Sequence, residues 1–304
     1  MDIAEYLASL ALSKDEPLIF TPNPGNGGDA IIAQATFQLL RRNKIPFRAL
    51  TNGSELEGKV IAYGGGGNLT GHYRYCRNFI KSHHLKAKKL VILPHTVKGN
   101  EDLLGELGGN VGIICREPVS YEHVRRHARK ANVMLADDLA FGLDCAGLLR
   151  KTRGRAFPID RSSLRQTLRM LNRVGRYRLA LAIKRLSETL KPGKKEGKVL
   201  NCFREDIERL PGAIPAGNID VSRMIQFKYT LSTGVEPWAR AVSYSILRFL
   251  KDFDEIHTNR LHICIAGALI GIKVHFYPNS YWKNRAVYEH SIKGRYENVQ
   301  WMGG

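Results

Sequence analysis

Arg260, His262 and Lys283 are the residues from which chemistry is argued first. They belong to one stretch, HTNRLHICIAGALIGIKVHFYPNSYWK, running from His257 to Lys283. Its polar opening, Thr258-Asn259-Arg260-Leu261-His262, falls between a strand expected at 255–257 and a helix expected at 260–269. A second strand is expected at 273–277, ahead of the polar loop that carries Asn279 and Lys283. Open α/β sheets take ligands at such strand ends, and a helix start offers unpaired backbone N–H groups to an anion. Three cationic side chains around one helix start describe a pocket for a small, highly charged anion. The competing reading is structural: Thr258 as a helix cap, Arg260 as a solvated residue and His262 as a satisfied buried histidine.

The elements that must position these groups alternate along the chain. Strands are expected at 18–20, 47–50, 60–63, 90–93, 111–115, 133–135 and 199–203, with helices at 3–12, 30–40, 72–82, 121–128, 238–250 and 282–292. Asp220-Val221-Ser222 reads as the opening of a further unit. Alternation of this kind predicts parallel sheets whose functional edge lies at the strand C-termini. Each strand runs into a polar or glycine-rich cluster there. The first is Asn23-Pro24-Gly25-Asn26-Gly27-Gly28-Asp29, where glycines permit close approach of a ligand. Its spacing does not fit the dinucleotide fingerprint G-x-G-x-x-G. Asp29 is either a cap that favours the helix dipole or a hydroxyl-binding group or base. Gly64-Gly65-Gly66-Gly67-Asn68 exceeds what a turn requires, so close backbone approach to a substrate is expected at Gly66, Gly67 and Asn68. His95, Arg116-Glu117, Asp137-Asp138 and Arg204-Glu205-Asp206 close later strands.

Bulk properties narrow the class. The chain has 304 residues, 43% hydrophobic and 25% charged, as in an ordinary globular protein with room for two domains. The five cysteines form no CxxC pair and sit in apolar runs, which implies reduced, buried thiols in a cytoplasmic protein. Met-Asp-Ile-Ala-Glu carries acids where a signal peptide would carry Lys or Arg, and no apolar run is long enough to span a bilayer. The formal net charge of +19 is concentrated: residues 150–198 hold 16 Lys and Arg against 3 acids. Arg161, Arg165, Arg169 and Arg173 line one helical face. This segment reads as a solvated helical linker, as a contact for an anionic membrane surface, or as a nucleic-acid contact. Tyr177 is the one aromatic of its helices, so a stacking platform for single strands is lacking. The division expected is an N-terminal Rossmann-like unit (1–150), a basic insert (151–197) and a C-terminal Rossmann-like unit (198–304), the two units facing a cleft.

Several segments, in this order, resemble the polysaccharide pyruvyltransferases: G-N-G-G-D before a helix, Y-G-G-G-G-N, C-R-E-x-x-S, D-D-L-A-F, R-L-H and N-S-Y-W-K. The resemblance covers roughly residues 21–289, except for the basic insert. It implies a fold similar to the two-domain B-type glycosyltransferases and phosphoenolpyruvate as donor, with no obligatory cofactor. The product would be a pyruvate ketal on a hexose of an exopolysaccharide or capsular repeat unit, lipid-linked at the inner face of the cytoplasmic membrane. The positions matching the family's donor-binding residues are Arg116, Arg260 with the Leu261 backbone, His262 and Lys283. Asn26, Gly27, Gly28 and Asp29 match its glycine loop. Gly66, Gly67, Asn68, His95, Arg204 and Asn279 are expected on the acceptor side or in loops of the site. His95 stands where the family often has Gln, and Lys273 where it often has Pro.

For such a reaction His262 is the candidate for proton transfer, or else only a phosphate ligand. Lys283 would neutralise the leaving phosphate, and Asp29 or Glu117 would take a proton from the acceptor hydroxyl. No catalytic metal is expected, and no nucleic acid. Two rival readings remain open on sequence: a nucleotide-sugar glycosyltransferase of the same fold, since fold does not fix function, and a basic membrane- or nucleic-acid-binding protein without enzymatic activity.

Overall fold

The computed structural model describes residues 2–10, 12–51, 53–152, 197–212, 214–227 and 234–303. The expected helices of the basic insert lie outside the described residues. After a short helix α1 (Ile3–Ala8), the first sheet is assembled from β1 (Leu18–Thr21), β2 (Phe47–Ala49), β3 (Val60–Tyr63), β4 (Gly66–Leu69), β5 (Lys89–Val97), β6 (Val111–Cys115) and β7 (Asn132–Leu135). Its order is β2-β1-β3-β5-β6-β7, with β4 joining β5 beyond the end of β3, and every pairing is parallel. Crossovers run through α2 (Gly27–Arg42), α3 (Tyr75–His83), α4 (Glu101–Glu106) and α5 (Pro118–His127). A 3-10 turn (Leu139–Gly142) and α6 (Cys145–Thr152) complete this part, and α6 crosses the boundary expected at residue 150.

The second sheet contains β8 (Val199–Cys202), β9 (Glu255–Thr258), β10 (Lys273–Phe276) and β11 (Val299–Trp301), in the parallel order β11-β10-β9-β8. Its helices are α7 (Val221–Met224), α8 (Val235–Leu250), α9 (Leu261–Leu269) and α10 (Lys283–Val287), the last continuing into a π turn at Tyr288–Ile292. The unit expected to open at Asp220 is thus a single turn, and the expected helix at 282–292 changes character halfway.

β1, β3 and β6 are buried along their whole length. Sheets covered on both faces read as continuous apolar runs rather than alternating ones. One apolar cluster extends from Leu18 and Phe37 through Trp238 and Ile246 to Ile256 and Phe276, so a single core reaches both sheets. A second cluster lies under α3, α4 and α5. The helix at the junction is α2. It packs on α8, where Ser243 Oγ donates to the Ala30 carbonyl at 3.0 Å. Gly25 and Phe227 exchange backbone hydrogen bonds at 3.0 and 3.1 Å just ahead of α2. A Cβ on Gly27 would stand 2.5 Å from the Ile225 carbonyl, so the start of α2 is wedged against the second half of the chain. All five cysteines are free and buried.

The glycine run after β3 has two separate causes. A Cβ on Gly64 would come within 2.5 Å of the Asn23 amide nitrogen, and one on Gly65 within 2.8 Å of the Pro94 carbonyl. These two glycines let the chain pass its own backbone and rejoin β5 at His95. Close approach to a functional side chain begins only at Gly66 and Gly67.

Candidate active site

The C-terminal ends of the two sheets converge around the starts of α2 and α9. Asn26 caps α2, its Oδ1 accepting from the Gly28 amide at 2.7 Å, while Asp29 Oδ2 accepts from the Asn26 amide at 2.8 Å. The cap and the side-chain reading of Asp29 are therefore not exclusive. Its other oxygen accepts from Asn23 Nδ2 at 3.1 Å. Asn23 Oδ1 in turn accepts from Tyr63 Oη at 2.9 Å and Asn68 Nδ2 at 2.6 Å, and Asn68 Oδ1 lies 2.8 Å from His95 Nε2. Burial, followed by the charge of Arg116, pushes His95 down to about 3, so this ring is neutral and serves to hold Asn68. Burial also raises Asp29, against the opposing pull of His262, Arg116 and Arg260.

Arg116 follows β6 and is almost wholly buried. Its Nε donates to Thr96 Oγ1 at 2.8 Å and its Nη1 to Asp138 Oδ2 at 2.7 Å. His262 reaches the same carboxylate oxygen from α9, with Nε2 at 3.3 Å. Burial pushes Asp138 up, but His262 and Arg116 outweigh it and hold the carboxyl well below the usual range. The Nδ1 side of His262 faces α2: a Cβ on Gly28 would stand 2.6 Å from it. Gly28 is glycine because the imidazole occupies that space.

Thr258 does not cap α9 through its helix neighbours. Its Oγ1 accepts from the Arg260 amide at 2.9 Å and donates to the Cys202 carbonyl at 2.6 Å, which pins the turn between β9 and α9. Arg260 is buried rather than solvated. It grips Asp220 with Nε at 2.8 Å and with Nη2, and its Nη1 lies 2.7 Å from Asp206 Oδ2. Arg204 connects Asp206, at 2.8 Å from its Nε, with Glu208, at 2.7 Å from its Nη1. Lys283 Nζ donates to Glu208 and lies 5.0 Å from the centre of the Tyr281 ring. The result is one chain of alternating charge: Asp220, Arg260, Asp206, Arg204, Glu208, Lys283. Burial, then Arg204, pushes Lys283 down to about 7 despite Glu208. Arg204, expected on the acceptor side, stands with the cations of this chain.

Gly67 is where the two charged networks meet. A Cβ there would be 2.8 Å from Arg116 Nη2 and 3.8 Å from Lys283 Cδ. Gly66 lies over Asn23 and Asp29, with φ +148°. The amides of Leu261 and His262, in the first turn of α9, have no intrahelical acceptors. Glu117 is directed elsewhere. Both its oxygens engage Ser120, as the cap of α5, and burial raises it to about 7. Asn279 is buried, and its Oδ1 accepts from the Asn284 amide at 3.2 Å. The acids Asp138, Asp206, Glu208 and Asp220 complete a site that the sequence reading populated mainly with cations. Asp138 had a visible signal, the Asp pair after a strand, but its partners are distant in sequence.

The family model described as polysaccharide pyruvyl transferase matches residues 26–281. The chain belongs to that family. The transferase is also similar to an uncharacterised protein of Klebsiella pneumoniae whose crystal structure is known, with 26% identity and a TM-score of 0.72 over 99% of this chain and 95% of that one. No curated protein matches. Family membership assigns the transferase to polysaccharide pyruvylation. Among its described residues no helix is long and apolar enough to cross a membrane.

Proposed function

We propose that the transferase moves the pyruvyl group of phosphoenolpyruvate onto two hydroxyls of a hexose in a lipid-linked repeat unit, forming a ketal and releasing phosphate. The observation that carries this reading is the meeting of Arg116 and Lys283 at Gly67, beside the start of α9. A donor with a carboxylate and a phosphate needs two separated cationic grips, and guanidinium groups supply paired, charge-assisted hydrogen bonds. Arg116 and the helix start would take one anionic group, and Lys283 with the Arg204–Arg260 chain the other.

The reaction then proceeds in two additions. A proton is delivered to C3 of the enol while one acceptor hydroxyl adds to C2. Phosphate departs, the second hydroxyl closes the ring, and the two hydroxyl protons end on the methyl group and on phosphate. In this reading His262 makes the first transfer, with Asp138 fixing its ring. Asp29 rather than Glu117 accepts the acceptor proton, because Asp29 lies against Gly66 beside the start of α2, whereas Glu117 is turned into the cap of α5. Lys283 offsets charge on the leaving phosphate. The basic segment 150–198 would hold the enzyme at the anionic inner face of the cytoplasmic membrane.

The test is phosphate release from phosphoenolpyruvate with synthetic lipid-linked galactosides, glucosides and mannosides, alongside calorimetry of phosphoenolpyruvate alone. Release that requires one acceptor and disappears in His262→Ala supports the proposal. Failure to bind phosphoenolpyruvate, together with binding of a nucleotide-sugar, overturns it in favour of glycosyl transfer.

A further inference from the structure

The second sheet carries a side-chain cluster that the reaction does not use. Glu255 and His257 are two residues apart on β9, and His275 is the register partner of His257 on β10. Side chains alternate along a strand, so these three share one face while Ile256, Thr258, Val274 and Phe276 are buried on the other. His257 Nε2 and His275 Nε2 each lie 2.9 Å from the same oxygen, Glu255 Oε1. The candidate ligand atoms of all three residues fall within 4.8 Å of one another. The two imidazoles stack with centroids 4.4 Å apart.

The outer contacts of the rings decide what faces inward. His275 Nδ1 lies 3.3 Å from the Met302 sulfur, and a thioether only accepts. Nδ1 therefore carries the hydrogen, and Nε2 presents a lone pair toward the carboxylate. That Nε2 is buried without a hydrogen-bond partner. On the other ring, His257 Nδ1 lies 3.0 Å from Tyr277 Oη. Lys273 occupies Glu255 Oε2 at 3.1 Å, which leaves Oε1 to the imidazoles. His257 Nε2 is hydrogen-bonded to that oxygen, whereas the His275 Nε2 lone pair and the carboxylate oxygen face each other and repel unless a cation lies between them.

We propose that Glu255, His257 and His275 form a site for a divalent transition metal of the zinc type. Two neutral imidazoles and one carboxylate suit zinc better than magnesium or calcium, and three protein ligands leave a fourth position for water. Tetrahedral zinc holds its ligands about 3.3 Å apart, so the 2.9 Å separations from Glu255 Oε1 must widen slightly and the stacked rings must tilt toward a common point to hold one ion. Tyr277 and Met302 orient the rings from outside, as partners of metal-bound histidines do. The metal would clip β9 to β10, the strands that lead into Arg260 and Lys283, and acts on structure rather than chemistry. Sequence spacing hides the site because the third ligand arrives through strand register. Glu101, His123 and His127 form a second group on the surface, but His123 Nε2 is engaged with the Gly99 carbonyl at 2.9 Å, so this group serves as a control.

The experiment is titration of the metal-stripped full chain with Zn(II) against a chromophoric chelator, repeated with Co(II) for its visible spectrum. One equivalent should persist in the His123→Ala/His127→Ala variant and weaken at least tenfold in His257→Gln and in His275→Gln. Co(II) should give ligand-field bands without thiolate charge transfer. The melting temperature of the parent chain should rise by roughly 5 °C at hundredfold excess of Zn(II) over Kd. Absence of binding, or binding in both sheet variants as tight as in the parent chain, overturns the proposal. If either histidine variant fails to fold by circular dichroism, Glu255→Gln provides the same discrimination from a residue with an exposed edge.

Discussion

His262 Nε2 lies 3.3 Å from Asp138 Oδ2 although the two residues are separated by 124 positions and follow strands of different sheets. The same oxygen receives Arg116 Nη1 at 2.7 Å. One carboxylate thus sets both the ring proposed to move a proton and the guanidinium proposed to grip the donor. Asp138→Asn should therefore depress more than one step. The expected result is a fall in kcat of about a hundredfold or more, with a weaker rise in KM, measured by phosphate release. A loss confined to KM would show that Asp138 acts only by holding Arg116.

Lys283 supplies the pH dependence. Its pKa is pushed down to about 7 by burial and Arg204, far below the unfolded value. Above pH 7 the unfolded chain binds the extra proton, so this group's contribution makes folding stability rise with pH from about 7 towards 10. Donor binding moves the opposite way, because phosphate needs the charged amine. Calorimetry should find the Kd for phosphoenolpyruvate rising by up to tenfold per pH unit above about 7. Lys283→Met should flatten that profile, and an unchanged slope in the variant would assign the titration to another group.

The strands at 60–63 and 111–115 were legible because parallel strands buried on both faces read as continuous apolar runs. β4 was not, since Gly66-Gly67-Asn68 has the composition of a loop and forms a strand only through its neighbour β5. β11 is three residues long and carries too little pattern to register. In the site, the cations were legible as types that bind anions. Their pairing was not, because it depends on which strand ends lie side by side: Glu208 lies near Arg204 in sequence but meets Lys283 through the fold. The Arg260 partner Asp220 likewise looked like the start of an element rather than part of the site.

Asp220 should prove important for both stability and binding. It holds Arg260 through two hydrogen bonds, and both side chains are buried. Removing one member of such a pair leaves an uncompensated charge, at a cost of about 3–5 kcal/mol. Asp206 remains 2.7 Å from Nη1 and moderates the loss towards the lower figure. Asp220→Ala is expected to lower the melting temperature by roughly 6–12 °C and to weaken phosphoenolpyruvate binding. Asp220→Asn, which keeps the shape, should lose less of both. A melting temperature unchanged in Asp220→Ala would mean that Asp206 alone secures the guanidinium.

Gly65 and Gly67 provide the sharpest separation of fold from function, since they are two residues apart and face different obstacles. A Cβ on Gly65 meets the Pro94 carbonyl at 2.8 Å, which is backbone inside the sheet and has no room to yield. A Cβ on Gly67 meets Arg116 Nη2 at the same distance, the tip of a side chain that Thr96 and Asp138 hold in place. Overpacking costs about 1–3 kcal/mol, and the two variants should spend it differently. Gly65→Ala is expected to lower the melting temperature by several degrees, roughly 2–9 °C, while keeping donor affinity within about twofold. Gly67→Ala is expected to leave the melting temperature nearly unchanged and to weaken phosphoenolpyruvate binding about tenfold, as the displaced guanidinium loses its aim. Calorimetry and thermal denaturation on both variants measure the contrast. Equal donor affinity in Gly67→Ala and the parent chain would remove Arg116 from the donor site, because no other buried cation stands so close to that Cβ among the described residues.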